Sequence, residues 1–316
     1  MIKLFLSFIF FLCLLSCETR RTQEVEIKGT TVDWSQLNER SKPSIDARGR
    51  QTYGPVSIEE DVNKDQVQKD INGSQAVALI FGAGLYRSMA LISFLKELEV
   101  NQKFEARVIM GHGMSATIAA YYAFGRKPDY IEWKFFQFLR KTSNVKILSK
   151  EWKDIFEELL LDDFKNKRIE DSKLTLLVPI FNHQNKSVSY LKRGSLVEAL
   201  LSNVNVVDFD KDGPAFMHNF LTSKKVRVLG VSKIITLDLV SQGITWKSGS
   251  GYYNGLYEKA ASQFNKLKSQ DTKIESIIYP LQDYALDDSS LVSKFIFESQ
   301  SYSKEQLKRI SIKAKM

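Results

Sequence analysis

"VIMGHGMSATIAAYYAFG", residues 108–125, holds three local structures in one line. Val108-Ile109-Met110 is a short apolar run suited to a buried strand. Gly111-His112-Gly113 is a turn built from small residues around one imidazole. Met114 onward is rich in alanine and reads as a helix, with Gly125 suited to its C-terminal cap. The same grammar occurs just upstream. "AVALIF" (76–81) is a continuous apolar run, Gly82-Ala83-Gly84 breaks it, and "YRSMALISFLKELE" (86–99) places Met89, Leu91, Ile92, Leu95 and Leu98 at helical spacing. Strand, helix, strand, helix in this order predicts an α/β fold with a mostly parallel central sheet and crossover helices.

The rest of the chain continues the pattern. "YIEWKFFQFL" (130–139) is an aromatic helix that either fills the core or covers a lipid-binding cleft. Trp152, Ile155, Phe156, Leu159 and Leu160 mark one face of the next helix. "KLTLLVPIF" and "SVSYLKRG" read as strands around a turn at "NHQN" (182–185), and "SLVEALLS" as a helix. "VRVLGVSKIITLDLV" reads as a helix end followed by a buried strand. "GLYEKAASQFNKLKSQ" is a helix, "KIESIIYPL" a strand, and the C-terminus is helical around "SSLVSKFIFESQ" and "KEQLKRISIKAKM". No internal repeat is evident.

The N-terminus carries a different message. Lys3 is followed by an apolar run, Leu4 to Leu15, too short to span a bilayer comfortably and proportioned like a signal-peptide core. Leu14-Leu15-Ser16-Cys17 resembles a bacterial lipobox, with an aliphatic residue three before the cysteine and a small one just before it. That resemblance implies acylation of Cys17, and Glu18 after it implies outer-membrane retention. An ordinary signal peptide or membrane anchor is the plainer alternative. The chain has two cysteines, Cys13 and Cys17, so the folded part has no disulfide framework and no cysteine metal site. The expected organisation is a signal peptide over 1–16, a polar membrane tether over 17–72, with Trp34 or Tyr53 able to dock a short piece, and one domain over 73–316.

The formal net charge is +8. The basic residues are dispersed, and no block of Lys and Arg with interleaved aromatics points to nucleic acid. Mild attraction to anionic lipid headgroups accounts for the excess, as does a solvated basic surface with no partner. No cofactor or metal is indicated.

The two glycine turns carry a family resemblance. Ligands in open parallel sheets bind at the carboxyl ends of the strands, and both turns fall there. An acyl hydrolase needs backbone N–H groups aimed at an oxyanion and a nucleophile on a strained strand-to-helix turn. The chain resembles the patatin-like phospholipases from about Ala76 to Leu239, and on toward its C-terminus. The family pattern is a glycine-rich turn G-G-G-x-R-G opening a helix, then G-x-S-x-G followed by A-x-x-A and a Y-A-x-G helix end, then D-G-G or D-G-A. Its catalytic pair is a serine and an aspartate. Gly111, Ala116, Ala119, Tyr122, Ala123 and Gly125 fall on family positions without a gap. The resemblance implies a three-layer sandwich, lipid acyl hydrolase ancestry, and an oxyanion turn at Ala83, Gly84 and Arg87. An alternative register pairs Gly82-Ala83-Gly84 with the three glycines.

In that register the nucleophile position is Gly113, which has no side chain to attack with. Ser115 is the alternative nucleophile, but placing it at the apex rotates the helix by about 200° and removes the alanines from their family positions. Its plainer role is a hydroxyl in the first helical turn. Asp212, in "DFDKDGPAFMHN", matches the catalytic aspartate, with Asp208 and Asp210 as neighbours; a turn made by Asp212-Gly213 is the competing reading. Ser202 matches a family serine, but the proline after it is missing. His112, His183 and His218 are the three histidines, and the family chemistry needs none. Three functions follow from these residues. The first is a catalytically silent, membrane-anchored patatin-like domain of the bacterial envelope that binds lipid or a protein partner. The others are an active hydrolase using Ser115 with Asp212, and a structural envelope lipoprotein.

Overall fold

The computed structural model describes residues 44–45, 51–52, 75–182, 187–204, 213–214, 230–247, 254–270 and 274–313. The lipobox with Cys17, the residues Trp34 and Tyr53, and His183, Asp208, Asp210, Asp212 and His218 lie outside the described residues. Ser44–Ile45 and Gln51–Thr52 form a short antiparallel pair.

The strands are β1 (Gln75–Phe81), β2 (Phe104–Gly111), β3 (Thr175–Asn182), β4 (Ser187–Leu191), β5 (Lys233–Asp238) and β6 (Ile274–Ile278). They hydrogen-bond in the order β4-β3-β2-β1-β5-β6. β1 to β2, β1 to β5, β2 to β3 and β5 to β6 are parallel pairs, and β3 to β4 is antiparallel. The protein is therefore α/β with a mostly parallel sheet. The helices are α1 (Ala90–Val100), α2 (Met114–Ala123), α3 (Pro128–Thr142), α4 (Lys150–Phe164), α5 (Leu196–Val204), α6 (Asn254–Gln270) and α7 (Val292–Lys313). The two apolar C-terminal segments are one continuous helix, because no proline or glycine interrupts 292–313. α1 is entered through a 3₁₀ turn, Leu85–Met89.

Parallel strands bury both faces, which is why β1 is apolar throughout rather than alternating. Val77, Leu79 and Phe81 face the larger core with apolar residues of α1 to α7. Ala78 and Ile80 face a second, smaller core with Val108, Met110, Leu177 and Ile234. The aromatic helix α3 fills the core: Phe135 and Phe138 are buried. Phe138 packs edge-on against Trp152 of α4, ring centroids 5.3 Å apart, and Trp152 stacks on Phe156. α2 ends in a Schellman cap. Gly125 takes φ +77°, its N–H bonds Tyr122 O, and the Arg126 N–H bonds Tyr121 O. Among the described residues no helix is long and apolar enough to cross a membrane.

The register sets the site. Phe81 is paired with Gly111 on one side and Leu237 on the other. The turns after β1, β2 and β5 therefore start side by side at the carboxyl edge of the sheet.

Candidate functional site

Gly113 sits between the last residues of β2 and the first of α2, at the apex of the second turn, with φ 61° and ψ −135°. That region is open to glycine and strained for any side chain. Two residues earlier, Gly111 makes the turn sterically feasible: a Cβ there would lie 2.5 Å from Ala116 Cα and N. The chain thus has a tight strand-to-helix turn with no side chain at its tip. His112, Gly113 and Met114 are all buried.

The apex N–H is not left open. It donates to Oδ1 of Asn203, on α5, and Asn203 Nδ2 donates to the Pro179 carbonyl of β3 at 2.5 Å. Asn203 is fully buried. Sequence reasoning missed it. The available signal was a lone carboxamide in the apolar stripe of α5, in line with Leu196 and Leu200.

Ser115 lies in the first turn of α2 and is fully buried. Its Oγ is 2.6 Å from the Gly82 carbonyl, to which it donates, and 2.8 Å from Ser88 Oγ. A carbonyl accepts this proton in a hydrogen bond but is not a base that removes it. The hydroxyl therefore acts as a latch between the two glycine turns.

The first turn is packed against neighbouring segments. Gly84 makes room for Leu239 of the neighbouring strand's loop, since a Cβ would meet Leu239 Cδ1 at 2.8 Å. The backbone of this turn therefore packs closely against Leu239. Leu85 has φ 44°, a left-handed conformation in a branched residue. Arg87, expected in an oxyanion turn, hydrogen-bonds to neighbouring segments. Nε donates to Tyr284 O (2.7 Å), Nη1 to Leu239 O (3.1 Å) and Gly243 O (2.6 Å), and Nη2 to Thr245 Oγ1 (3.0 Å). Its donors are spent on three carbonyls and the Thr245 hydroxyl, because it is fully buried and buried polar groups need partners. Burial lowers its pKa to about 10, so it keeps its charge. Arg87 therefore staples the 239–245 and 284 segments to the first turn.

Burial lowers the His112 pKa to about 3, which leaves the imidazole neutral at physiological pH. Asp238, at the end of β5, has its pKa raised by burial, against hydrogen bonds from Ser241 Oγ and from the N–H groups of Val240 and Ser241. It closes its own turn. Gly213–Pro214 pairs with Phe181 and Ile180 of β3, and Phe181 meets Val188 on its other side. Gly213 therefore lies on the β2 side of β3, at the same edge as the elbow. This is the chain neighbour of Asp212. Ser202 is half-buried on α5. Among the described residues no group of three or more His, Cys, Asp or Glu is placed to hold a metal.

The chain matches no protein-family model and no curated protein sequence. Among solved structures it is similar to a chain in the complex of full-length SpcU with full-length ExoU from the type III secretion system of Pseudomonas aeruginosa. The TM-score is 0.39 and the identity 11%, over 75% of this chain and 53% of that one. A second structure, the heterodimeric ExoU–SpcU complex of the same system, gives a TM-score of 0.36 and 10% identity over 75% and 52%. The chain spans about half the length of the chains it matches. Both structures are complexes of two proteins.

Proposed function

We propose that the chain is a membrane-tethered, patatin-like lipid acyl hydrolase scaffold that has lost hydrolysis and acts at the bacterial envelope by binding lipid or a protein partner. The observation that carries this reading is Gly113, a residue without a side chain at the apex of a turn with φ 61° and ψ −135°. Covalent acyl transfer needs a nucleophile there and a base beside it. Ser115, the rival nucleophile, donates to the Gly82 carbonyl. Arg87 is committed to carbonyls and Thr245. These features weaken the electrostatic side of catalysis as well as the covalent side. The tether and the acyl anchor follow from the lipobox resemblance at Cys17.

The test uses the full chain in detergent, with ester phospholipid and its non-hydrolysable ether analogue. The expected result is saturable binding of the ether lipid and no turnover of the ester. Turnover that disappears in Ser115→Ala would overturn the proposal. Neither turnover nor lipid binding would favour the structural envelope reading.

A further inference from the structure

Two large apolar side chains stand in water on neighbouring helices. Val100, the last residue of α1, is 79% exposed, and Phe297 on α7 is 76% exposed. α1 and α7 run in parallel. Ser93 Oγ donates to Ile296 O at 2.7 Å, and one turn further Gln300 Nε2 donates to Glu97 Oε1 at 3.1 Å. Both helices therefore descend toward the edge where the parallel strands begin.

A basic stripe follows. Phe297, Lys304 and Lys308 recur at spacings of seven and four, which places them on one face of α7. From Phe297 to Lys308 that stripe is about 16 Å long. Val100, Lys103, Lys304 and Lys308 line one groove between the helices. Among the described residues no carboxylate pairs with Lys103, Lys304 or Lys308, whereas Lys96, Lys127 and Lys134 all have acidic partners. Glu97 also lines the groove and is engaged by Gln300.

The chain enters the sheet at this same end. The Gln75 N–H donates to the Lys103 carbonyl at 2.8 Å. β1 therefore begins beside Lys103.

We infer that this surface, built from Val100, Lys103, Phe297, Lys304 and Lys308, docks on an anionic lipid surface. Lysines near such a surface are attracted over about a Debye length, ~8–10 Å. Exposed apolar residues beside them add partition into the headgroup boundary. Charge complementarity with the unpaired lysines, together with the exposed Val100 and Phe297 beside them, selects an anionic bilayer as the occupant. The inference goes beyond the silent-hydrolase reading and uses neither Gly113 nor the acyl group.

The test is vesicle co-sedimentation of the full chain carrying Cys17→Ser, so that acyl chains contribute nothing; the apolar run at 4–15 is common to every variant. Vesicles are phosphatidylcholine alone or with phosphatidylglycerol. Each lysine at an anionic surface is worth about fivefold in partition. Lys103→Glu/Lys304→Glu/Lys308→Glu is expected to weaken binding to anionic vesicles at least tenfold and leave neutral vesicles unchanged. A control, Lys146→Glu/Lys150→Glu/Lys165→Glu, changes the same charge at other exposed positions and is expected to stay within twofold. Val100→Ser/Phe297→Ser changes no charge and is expected to weaken anionic binding about threefold, which guards against misfolding of the charge-reversed chain. Equal losses in control and patch variants, or unchanged binding in both patch variants, would overturn the inference. A chain that ignores anionic vesicles but binds polyglutamate through these lysines would overturn it in favour of an acidic protein partner.

Discussion

The Ser115 hydroxyl and the Gly82 carbonyl lie 2.6 Å apart and tie the two glycine turns of the carboxyl edge together. Ser88 Oγ completes the contact at 2.8 Å. A serine two residues past the elbow apex is thereby a structural bond across adjacent strand ends.

Ser115→Ala should therefore cost stability. It leaves a fully buried carbonyl and a buried hydroxyl short of a partner, a loss of about 1–3 kcal/mol. Urea unfolding followed by circular dichroism measures it. A variant as stable as the parent would remove the latch from this description.

Asn203→Ala should cost more, about 2–4 kcal/mol, because it strands both the Gly113 N–H and the Pro179 carbonyl. Hydrogen exchange at Gly113 supplies a local readout. Protection there should fall by more than the global stability loss explains. An unchanged exchange rate would mean that another acceptor holds this N–H.

Much of this edge was legible from residue types, and the limits are instructive. Apolar runs fix β1 and β2, and small residues at Gly111, Ala116 and Ala119 fix the turn and helix register, because only small side chains fit where a strand doubles back into a helix. Side-chain direction was not legible. Nothing local says that Arg87 turns toward Leu239, Gly243 and Tyr284, since those carbonyls arrive from segments far away in the chain. Asn203 reads as a helix residue until α5 is packed beside the elbow. The C-terminal helix reads as two segments in the sequence because Ser299, Ser301 and Ser303 interrupt its apolar pattern. Two of these are buried nonetheless, Ser303 bonding the Ser299 carbonyl and Tyr279.

His112 supplies a pH prediction. Its folded pKa, about 3, lies below the ordinary 6.5, so the unfolded chain binds its proton first. Its contribution is fully present above pH 6.5 and is lost as pH falls from 6.5 toward 3, at a limiting slope of about 1.4 kcal/mol per pH unit. Urea unfolding at pH 7.5, 6 and 5 should show this slope, and His112→Gln should flatten it. Parallel curves for the two proteins would contradict neutral burial of this imidazole.

Gly113→Ser asks whether the turn is a true elbow. A side chain at φ 61° and ψ −135° should lower stability by about 1–3 kcal/mol. It should also gain slow labelling by a fluorophosphonate at that position, read by peptide mass spectrometry. A folded variant that stays unlabelled would mean that the turn at Ala83, Gly84 and Leu85 does not support acyl chemistry.

The most direct measurement is the intact mass of the unmodified chain after prolonged exposure to a fluorophosphonate. A chain with glycine at the apex and a latched Ser115 should gain no adduct. A stoichiometric adduct that maps to Ser115 and vanishes in Ser115→Ala would contradict a silent centre at Gly113.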